Sequence, residues 1–388
     1  MKSAIDKISK ILLTALRIET CEDAYSEKLC ANEEDLPLLY NFSKEYDLAH
    51  IVANALEKAE LLEENSEIKK LFFKERDIAI MRYEQRRYEI EAICKAFNDA
   101  KIPFILLKGA YLQKFYKSEW MRTSCDIDVL VEESNLNFAI QTLKDKLNYS
   151  CESVSKHDAQ MFAPSGVHLE LHFSLVGDVN YYEYKTLFEK VWENENDGDS
   201  FNRIMKGEIF YTYFILHMAK HVKEGGCGIR PFLDLYLIRK NMGLDSETCK
   251  NLLKEIKLYT FAKGAESLSE VWFSFKKPTA QDKDLEDYIF TGGLYGTVQN
   301  RVSIQTGRKN GKLNFIISRI FLPYEKLKSY YPILEKRKIL TPFYQIKRWF
   351  SLLSKEKRQS AKIELKTALN QKETHSQKIE KLFKNLEL

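Results

Sequence analysis

Apolar residues recur at helical spacing through the first hundred positions of the chain. Four of them between Ile8 and Ala15 follow the i, i+3, i+4, i+7 pattern of an amphipathic helix. The stretch from Glu67 to Asn98 contains neither Gly nor Pro and repeats apolar residues at similar intervals. These patterns predict a helical N-terminal region over residues 1–97 that ends in one long helix or two abutting ones.

The pattern changes at Lys101, where short apolar runs replace the long helical repeats. The predicted strands cover residues 102–107, 126–131, 149–154, 159–163 and 167–173, and the predicted helices between them cover 110–116 and 134–146. The resulting order is strand, helix, strand, helix and then three strands. We therefore expect a small α+β core with a mixed sheet over residues 98–180.

Helical spacing returns after this core. It predicts helices over residues 209–223 and 231–241, and a glycine-rich loop at Gly292–Gly296. We assign 181–312 to a helical domain that completes the cleft and 313–388 to a basic helical C-terminal region. Its last part, 354–388, is polar and Lys-rich, and we expect a frayed tail there. The predicted fold class is α+β, a small mixed-sheet core embedded in mostly helical flanking regions.

Composition limits the possible classes of protein. Hydrophobic residues make up 44% and charged residues 30% of the 388, which is typical of a globular protein and excludes global disorder. No window is long and apolar enough to predict a transmembrane helix, and the N-terminus lacks the features of a secretory signal. The seven cysteines are scattered without a C-x-x-C pair, so we expect a reduced, cytoplasmic protein.

Charge is distributed unevenly. Residues 301–388 carry 21 Lys and Arg against 7 Glu, a net charge of +14, while the first 300 carry 39 against 49, a net charge of −10. The basic part could bind nucleic acid, an anionic membrane or the acidic part of the chain, or be a solvated helical face. Aromatic and basic residues alternate between Tyr324 and Phe350, where they could stack on bases, lie on a membrane or form core.

Asp126 and Asp128 are the strongest candidates for chemistry. They lie two residues apart in a predicted strand, so both side chains project from the same face. Two carboxylates at this spacing repel each other unless a cation lies between them. Their oxygen atoms are the ligands that Mg²⁺ and Mn²⁺ prefer, so we predict a divalent metal site.

Glu170 is the candidate for a third acid. In the segment from Val167 to His172, polar residues alternate with leucines, so His168, Glu170 and His172 share one face of a predicted strand. If this strand lies beside the strand of the two aspartates, three carboxylates meet and can hold two divalent ions, as in phosphoryl transfer. His172 could orient Glu170 or contact phosphate, or be a structural histidine.

Lys108, Gly109 and Arg122 suggest an anion site upstream of the acids. Lys108-Gly109-Ala110 forms a predicted strand-to-helix turn, where glycine allows close approach and the helix N-terminus offers free N–H groups to a phosphate. Lys108 adds a positive charge, and Arg122 adds a guanidinium with bidentate geometry.

These motifs resemble a known superfamily. The segments LLKGAYL, CDIDVLV and VHLELHFSL, with Arg122 before the second, are similar to those of the nucleotidyltransferases that include DNA polymerase β. They resemble more closely a poorly characterised bacterial nucleotidyltransferase family with the pattern K-G, R-x-x-x-D-I-D and E-L-H. Ala110 stands where the superfamily has serine, so the serine hydroxyl that contacts phosphate is missing.

The resemblance implies a nucleotide-binding, metal-binding transferase with a polymerase β-like fold. Such an enzyme transfers a nucleoside monophosphate from an NTP such as ATP to an acceptor and releases pyrophosphate, with Mg²⁺ or Mn²⁺ as cofactor. The implied metal ligands and catalytic residues are Asp126, Asp128 and Glu170. Lys108, Gly109, Ala110, Arg122 and His172 would contact the nucleotide.

Four residues of the following helices are further candidates for nucleotide contact. His217, Lys220 and His221 share a predicted helix, and His217 and His221 lie on one face of it, although the segment lacks the H-E-x-x-H pattern of a zinc protease. Arg230 follows a glycine-rich loop. It could line the cleft or pair with Asp234 one helical turn further on.

Two other classes of function remain open from the sequence. The chain could be a catalytically silent nucleotide sensor, which the loss of the serine at Ala110 allows and the three intact acids oppose. It could instead bind RNA or modify RNA ends through the basic C-terminal region. The favoured acceptor is a small molecule, a peptide or a protein.

Overall fold

The computed structural model describes most of the chain. The described residues are 2–21, 27–175, 184, 187, 190–192, 200–292, 300, 302–305, 312–351, 359, 362, 366–367, 369 and 373–388. They divide into two compact units. The first comprises residues 1–218 and 229–278, and the second comprises 219–228 and 279–388.

A five-stranded mixed sheet forms the centre of the first unit. Its strands are β1 (Phe104–Leu106), β2 (Asp126–Val131), β3 (Ser150–Val154), β4 (Asp158–Phe162) and β5 (His168–His172). The order across the sheet is β1-β2-β5-β4-β3. Only the β2–β5 pair is parallel among the described strands, and the other three pairs are antiparallel. The prediction of an α+β fold with a small mixed sheet and helical flanks is confirmed.

Helices precede, separate and follow these strands along the chain. Six helices precede β3 in the described chain: α1 (Lys2–Thr20), α2 (Leu36–Glu45), α3 (Ala49–Lys58), α4 (Glu67–Asp99), α5 (Lys108–Leu112) and α6 (Leu136–Leu147). Those that follow are α7 (Gly207–Glu224), α8 (Arg230–Asn241), α9 (Ser246–Glu255), α10 (Tyr259–Phe273), α11 (Ala280–Gly292), α12 (Lys312–Ile320), α13 (Tyr324–Tyr330), α14 (Ile333–Lys336), α15 (Thr341–Ser351) and α16 (Glu373–Asn385). Short 3-10 turns lie at Glu33–Asp35, Gln113–Phe115, Glu119–Met121, Glu133–Asn135, Lys190–Trp192 and Lys338–Leu340.

The long helix predicted before the sheet is a single helix, α4, of 33 residues. Ser66 caps its N-terminus by accepting a hydrogen bond from the backbone N–H of Lys69, which satisfies one of the otherwise unpaired donors of the first turn. After Asp99 the backbone turns through Lys101, which has a positive φ of 56°. This turn directs the chain into β1.

The strands bury one face of the sheet in a hydrophobic core. Alternate residues of β2, β4 and β5 point into it because side chains alternate between the faces of a strand. This core contains Ile127, Val129 and Val131 of β2, Ala159 and Met161 of β4, Leu169 and Leu171 of β5, with Ile93 and Phe97 of α4 and Ala139, Ile140 and Leu143 of α6. The remaining residues of the same strands therefore occupy the opposite face, and most of them are polar.

The second unit includes the C-terminal helix. Ile379, Leu382, Phe383 and Leu386 of this segment are buried, and the ring of Phe383 packs edge-on against Tyr288 at 5.7 Å between centroids. The expectation of a frayed tail is wrong for this segment, because its i, i+3, i+4, i+7 spacing gives α16 one apolar face that packs. Apart from Gly292, the predicted glycine-rich loop lies outside the described residues. No helix in the described part of the chain is long and apolar enough to cross a membrane.

Candidate active site

The polar face of the sheet brings the three predicted acids together. β2 and β5 are parallel neighbours, and their register pairs Asp128 with Glu170 and Asp126 with His168. Paired residues of adjacent strands project from the same face, so Asp126, Asp128 and Glu170 share it. From the sequence, the meeting of the three acids depended on the two strands being neighbours. In the structure they are neighbours.

The acids and two histidines of this face form two groups of potential ligands. The first is Asp126, His168 and Glu170, and the second is Asp128, Glu170 and His172; within each group the ligand atoms lie within 4.8 Å of one another. Glu170 belongs to both groups. Asp126 and Glu170 are half-buried, whereas Asp128 is only 3% exposed. The cluster is therefore open on the side of Asp126 and Glu170 and closed around Asp128.

Asp128 is held by the side chains of Lys108 and His172. Lys108 Nζ donates to its Oδ1 at 2.8 Å, and His172 Nε2 donates to the same oxygen at 2.8 Å. His172 also lies 3.4 Å from Glu170 Oε2, so one imidazole orients both carboxylates. The ammonium of Lys108 supplies positive charge beside the neighbouring carboxylates.

This environment shifts the pKa values of the three acids in different directions. Burial by itself raises the pKa of Asp128, but the charge of Lys108 and the hydrogen bond from His172 hold it well below its usual value. The hydrogen bond from His172 also lowers the pKa of Glu170. Burial and the charge of Asp128 instead raise the pKa of Asp126. Asp128 is consequently the firmly ionised member of the cluster.

Lys108, which donates to Asp128, has an unusual backbone conformation. It is the first residue of α5 and has a φ of 40°, in the left-handed region that favours glycine. Non-glycine residues in such conformations cost about 1–3 kcal/mol and persist where surrounding contacts hold them. Burial opposes the charge of Lys108, but the neighbouring charge of Asp128 and the hydrogen bond to it raise the pKa of the ammonium above the ordinary value.

Tyr213 is a residue of this cluster that the sequence did not single out. It lies on α7, is 3% exposed, and shares a hydrogen bond with Lys108. Burial raises its pKa to about 12, so the phenol is protonated at neutral pH. Its only sequence signal is that it precedes His217 by one helical turn. The two rings are 6.3 Å apart between centroids, which places the half-buried His217 beside Tyr213.

Gly109 allows the turn after β1 to approach the loop before β2. A Cβ at Gly109 would lie 3.1 Å from Ser124 Oγ and 3.7 Å from Arg122 Nη1. The distance to the serine oxygen is shorter than most contacts that Cβ atoms make in proteins. Ser124 Oγ in turn donates to Asp126 Oδ1 at 2.9 Å. The Lys108-Gly109 turn, the Ser124 hydroxyl and the guanidinium of Arg122 therefore meet beside the acids. Ala110 follows in α5 and is half-buried.

Arg122 forms a buried ion pair with Asp234 of α8. Its Nε donates to both carboxylate oxygens of Asp234, at 2.9 and 3.1 Å, and its Nη1 donates to the carbonyl of Thr123. The hydroxyl of Tyr116 donates to Asp234 at 2.7 Å. This network fixes Arg122 between the loop and α8.

Arg230 binds a partner other than the one considered from the sequence. Its Nη2 donates to the carboxylate and the carbonyl of Asp47, both at 2.5 Å, and its Nη1 donates to the Thr123 carbonyl at 3.1 Å. Asp234 forms its ion pair with Arg122 instead. Arg230 thus holds the same loop from a second direction.

The remaining candidates lie further along α7. Lys220 is exposed and His221 is half-buried, and both belong to the second compact unit. His217, Lys220 and His221 stay predictions as nucleotide contacts. The acids, Lys108, Gly109, Arg122 and His172 form one connected cluster in the first unit.

Comparisons with known proteins identify one similarity. A family model described as "Uncharacterised nucleotidyltransferase" matches residues 32–274, which is more than half of the chain and includes the whole sheet. No curated protein and no solved structure matches the chain.

Proposed function

Because the chain belongs to this uncharacterised nucleotidyltransferase family, and is therefore a nucleotidyltransferase enzyme, we propose that it transfers a nucleoside monophosphate from an NTP such as ATP to an acceptor and releases pyrophosphate. The acceptor is a small molecule, a peptide or a protein. The observation that supports this reaction is the shared sheet face of Asp126, Asp128 and Glu170, with Lys108 bound to Asp128.

The acids fit the divalent cation that this reaction uses. They offer hard oxygen donors, Glu170 has a ligand atom within 4.8 Å of one on each aspartate, and Asp126 and Glu170 are accessible. Asp126, Asp128 and Glu170 would hold Mg²⁺ or Mn²⁺, which would supply positive charge to the reacting centre. His172 would keep Asp128 and Glu170 oriented through its Nε2–H.

Lys108 would change partner when a cation and NTP bind. In the structure it neutralises Asp128, whose charge a bound cation would also neutralise. Released from Asp128, its ammonium lies next to the Gly109 turn and can bind a phosphate oxygen of the leaving pyrophosphate. Tyr213 would guide this movement because it also contacts Lys108.

Ser124 is positioned to replace the serine that the motif lacks. Ala110 has no hydroxyl, but Ser124 Oγ lies against Gly109 from the neighbouring loop. With the guanidinium of Arg122 beside the same turn, it completes a set of donors for the triphosphate. Arg230, bound to Asp47 and Thr123, fits a role in positioning the loop better than direct contact with the nucleotide.

In the proposed step, an acceptor oxygen attacks the α-phosphorus and forms a new P–O bond. The bond from this phosphorus to the bridging oxygen breaks, and the electron pair leaves with pyrophosphate. The acceptor proton passes to Glu170 or Asp126, the two acids on the accessible side of the cluster.

Transfer from radiolabelled NTPs tests this proposal. The purified chain is incubated with Mg²⁺, an extract of small molecules and proteins, and NTP labelled at either the α- or the γ-phosphate. We expect the α-label to appear on a new species, the γ-label to leave as pyrophosphate, and Asp126→Asn/Asp128→Asn to abolish transfer. The matched control is Asp99→Asn/Asp145→Asn, which removes two exposed acids of the same unit.

Two results would contradict the proposal. Transfer of the γ-label would make the chain a phosphotransferase. Metal-dependent NTP binding without transfer of either label from any extract would support the catalytically silent nucleotide sensor.

A further inference from the structure

Helix α12 in the second unit has apolar residues on two sides. Phe315 is buried, at 1% exposure, and anchors the helix to its own unit. Leu313, Ile317 and Ile320 follow the i, i+4, i+7 spacing of a single face and are 71%, 48% and 45% exposed. One side of α12 therefore presents aliphatic side chains to the surroundings.

Helix α15 repeats this arrangement. Gln345 is buried and donates from its side chain to the carbonyl of Leu322 at 2.7 Å, so this side of the helix faces its own unit. Phe343, Ile346 and Phe350 follow the i, i+3, i+7 spacing of another side and are 62%, 47% and 67% exposed. We call these three residues, together with Leu313, Ile317 and Ile320, the C-terminal apolar face.

The two helices are fixed to each other where their apolar residues adjoin. Trp349 Nε1 donates to the carbonyl of Ile320 at 2.8 Å, and the Trp349 ring packs edge-on against Phe321 at 5.5 Å. Arg348 donates to the carbonyls of Arg319 and Ile320 at 3.0 and 3.2 Å. These bonds satisfy the C-terminal carbonyls of α12 and join this end of the helix to α15.

The segment that carries this face is positively charged. Residues 312–351 contain nine Lys and Arg against two Glu, a net charge of +7. Lys336, Arg337 and Lys338 are consecutive and exposed, as is Ile339 beside them, and Lys347 lies next to Ile346 in α15. Apolar residues bordered by cations match the acyl and headgroup layers at the surface of an anionic bilayer.

We propose that the C-terminal apolar face binds the surface of an anionic membrane, with α12 and α15 lying in the plane of the interface. Helices of nine and eleven residues are too short to span a bilayer, so the contact is peripheral. Trp349, 37% exposed, has its indole N–H bonded to backbone and suits the boundary between headgroups and acyl chains.

Other occupants fit this face less well. Single-stranded nucleic acid stacks on aromatic rings, whereas four of the six residues of the defined face are Leu or Ile, which offer no ring to a base. A second copy of the chain would bring a second charge of +7 against the first, and like charges oppose such contact. An anionic bilayer is the partner that both the aliphatic residues and the charge favour.

Cosedimentation of the full-length chain with vesicles tests this inference. Vesicles of pure phosphatidylcholine are compared with vesicles containing 30% phosphatidylglycerol, at low and high salt. Phe343→Ser/Phe350→Ser removes two exposed rings, and Lys336→Gln/Arg337→Gln/Lys338→Gln removes charge. The matched controls are Phe138→Ser, 55% exposed on α6, and the exposed lysines of the first unit in Lys95→Gln/Lys144→Gln/Lys146→Gln.

We expect binding to anionic vesicles only, weakened by salt, and weakened about tenfold or more in both C-terminal variants but in neither control. Circular dichroism should show that all variants are folded. Absence of binding at any anionic fraction would overturn the inference, as would equal loss in the control variants. Loss of a dimer in Phe343→Ser/Phe350→Ser, seen by light scattering, would assign the face to a second copy. Salt-dependent RNA retention without vesicle binding would assign it to nucleic acid.

Discussion

Asp128 shows how much one residue of this site depends on its neighbours. It is almost fully buried, and it remains ionised because Lys108 and His172 both donate to one of its oxygens. An isolated buried carboxylate would take up a proton instead. The arrangement keeps a charged carboxylate inside the sheet and leaves Asp126 and Glu170 more accessible.

The placement of the acids, Lys108, Gly109 and Arg122 in one cluster could be predicted from the sequence because short spacings within one or two elements bring them together. Tyr213 and Ser124 could not. Tyr213 reaches Lys108 from a helix about 100 residues away in the chain, and nothing in a helical repeat indicates which of its faces will meet a sheet. Ser124 becomes significant only once Gly109 is known to lie against it.

His50 gives a pH prediction at the scale of a residue. It is buried, its Nε2 donates to the carbonyl of Met121 at 2.9 Å, and burial lowers its pKa from 6.5 to about 4. The unfolded chain binds this proton at higher pH than the folded chain does. The contribution of His50 to stability is therefore complete above pH 6.5 and is lost as pH falls towards 4, by up to about 3 kcal/mol.

Urea unfolding at several pH values measures this effect. His50→Gln keeps a side-chain donor for Met121 but cannot be protonated. We expect the difference in unfolding free energy between wild type and His50→Gln to shrink steadily from pH 7 to pH 4. A difference that stays constant over this range would show that His50 is not the titrating group.

At the scale of elements, the pairing of β2 with β5 creates the site. The sequence predicted all five strands within a few residues of their bounds, because alternation and turn signals are local. It could not predict the order β1-β2-β5-β4-β3, since strand order depends on contacts between segments distant in the chain. A one-residue shift of the β2–β5 register would move Glu170 away from Asp128 to the other face.

Three arginines hold the loop before β2, and one of them, Arg122, belongs to the loop itself. Arg86 of α4 donates to the Ser124 carbonyl, and Arg122 and Arg230 donate to the Thr123 carbonyl. Asp47 and Asp234 balance the charges of Arg230 and Arg122. This loop carries Ser124 and leads directly to Asp126, so the arginines fix the end of β2 where the acids begin.

Removing the carboxylate of Asp234 tests whether these ion pairs hold the loop before β2. Asp234→Asn leaves the buried guanidinium of Arg122 without its counter-ion, and we expect the free energy of unfolding to fall by about 3–5 kcal/mol. The control is Glu84→Gln, which breaks the exposed pair between Glu84 and Arg87 and should leave stability unchanged. Urea unfolding measures both. Equal effects of the two variants would contradict a clamping role for Asp234.

At the scale of the whole chain, the charge asymmetry seen in the sequence coincides with a structural feature of the second unit. The basic residues between 312 and 351 border exposed Leu, Ile and Phe side chains on α12 and α15. The periodicity of these helices was visible in the sequence. Which side of each helix stays exposed was not, because both sides of α12 are apolar and only packing distinguishes Phe315 from Leu313 and Ile317.

The central claim is that the acids of β2 and β5 bind an NTP together with a divalent metal ion. Calorimetric titration of the full-length chain with ATP, GTP, CTP and UTP, with and without Mg²⁺, tests it most directly. We predict metal-dependent binding of at least one NTP, weakened about a hundredfold or more in Asp126→Asn/Asp128→Asn, because two charge-assisted contacts are lost. Asp99→Asn/Asp145→Asn should bind as wild type does. Failure of every NTP to bind with either Mg²⁺ or Mn²⁺, or equal binding by both double variants, would contradict the claim.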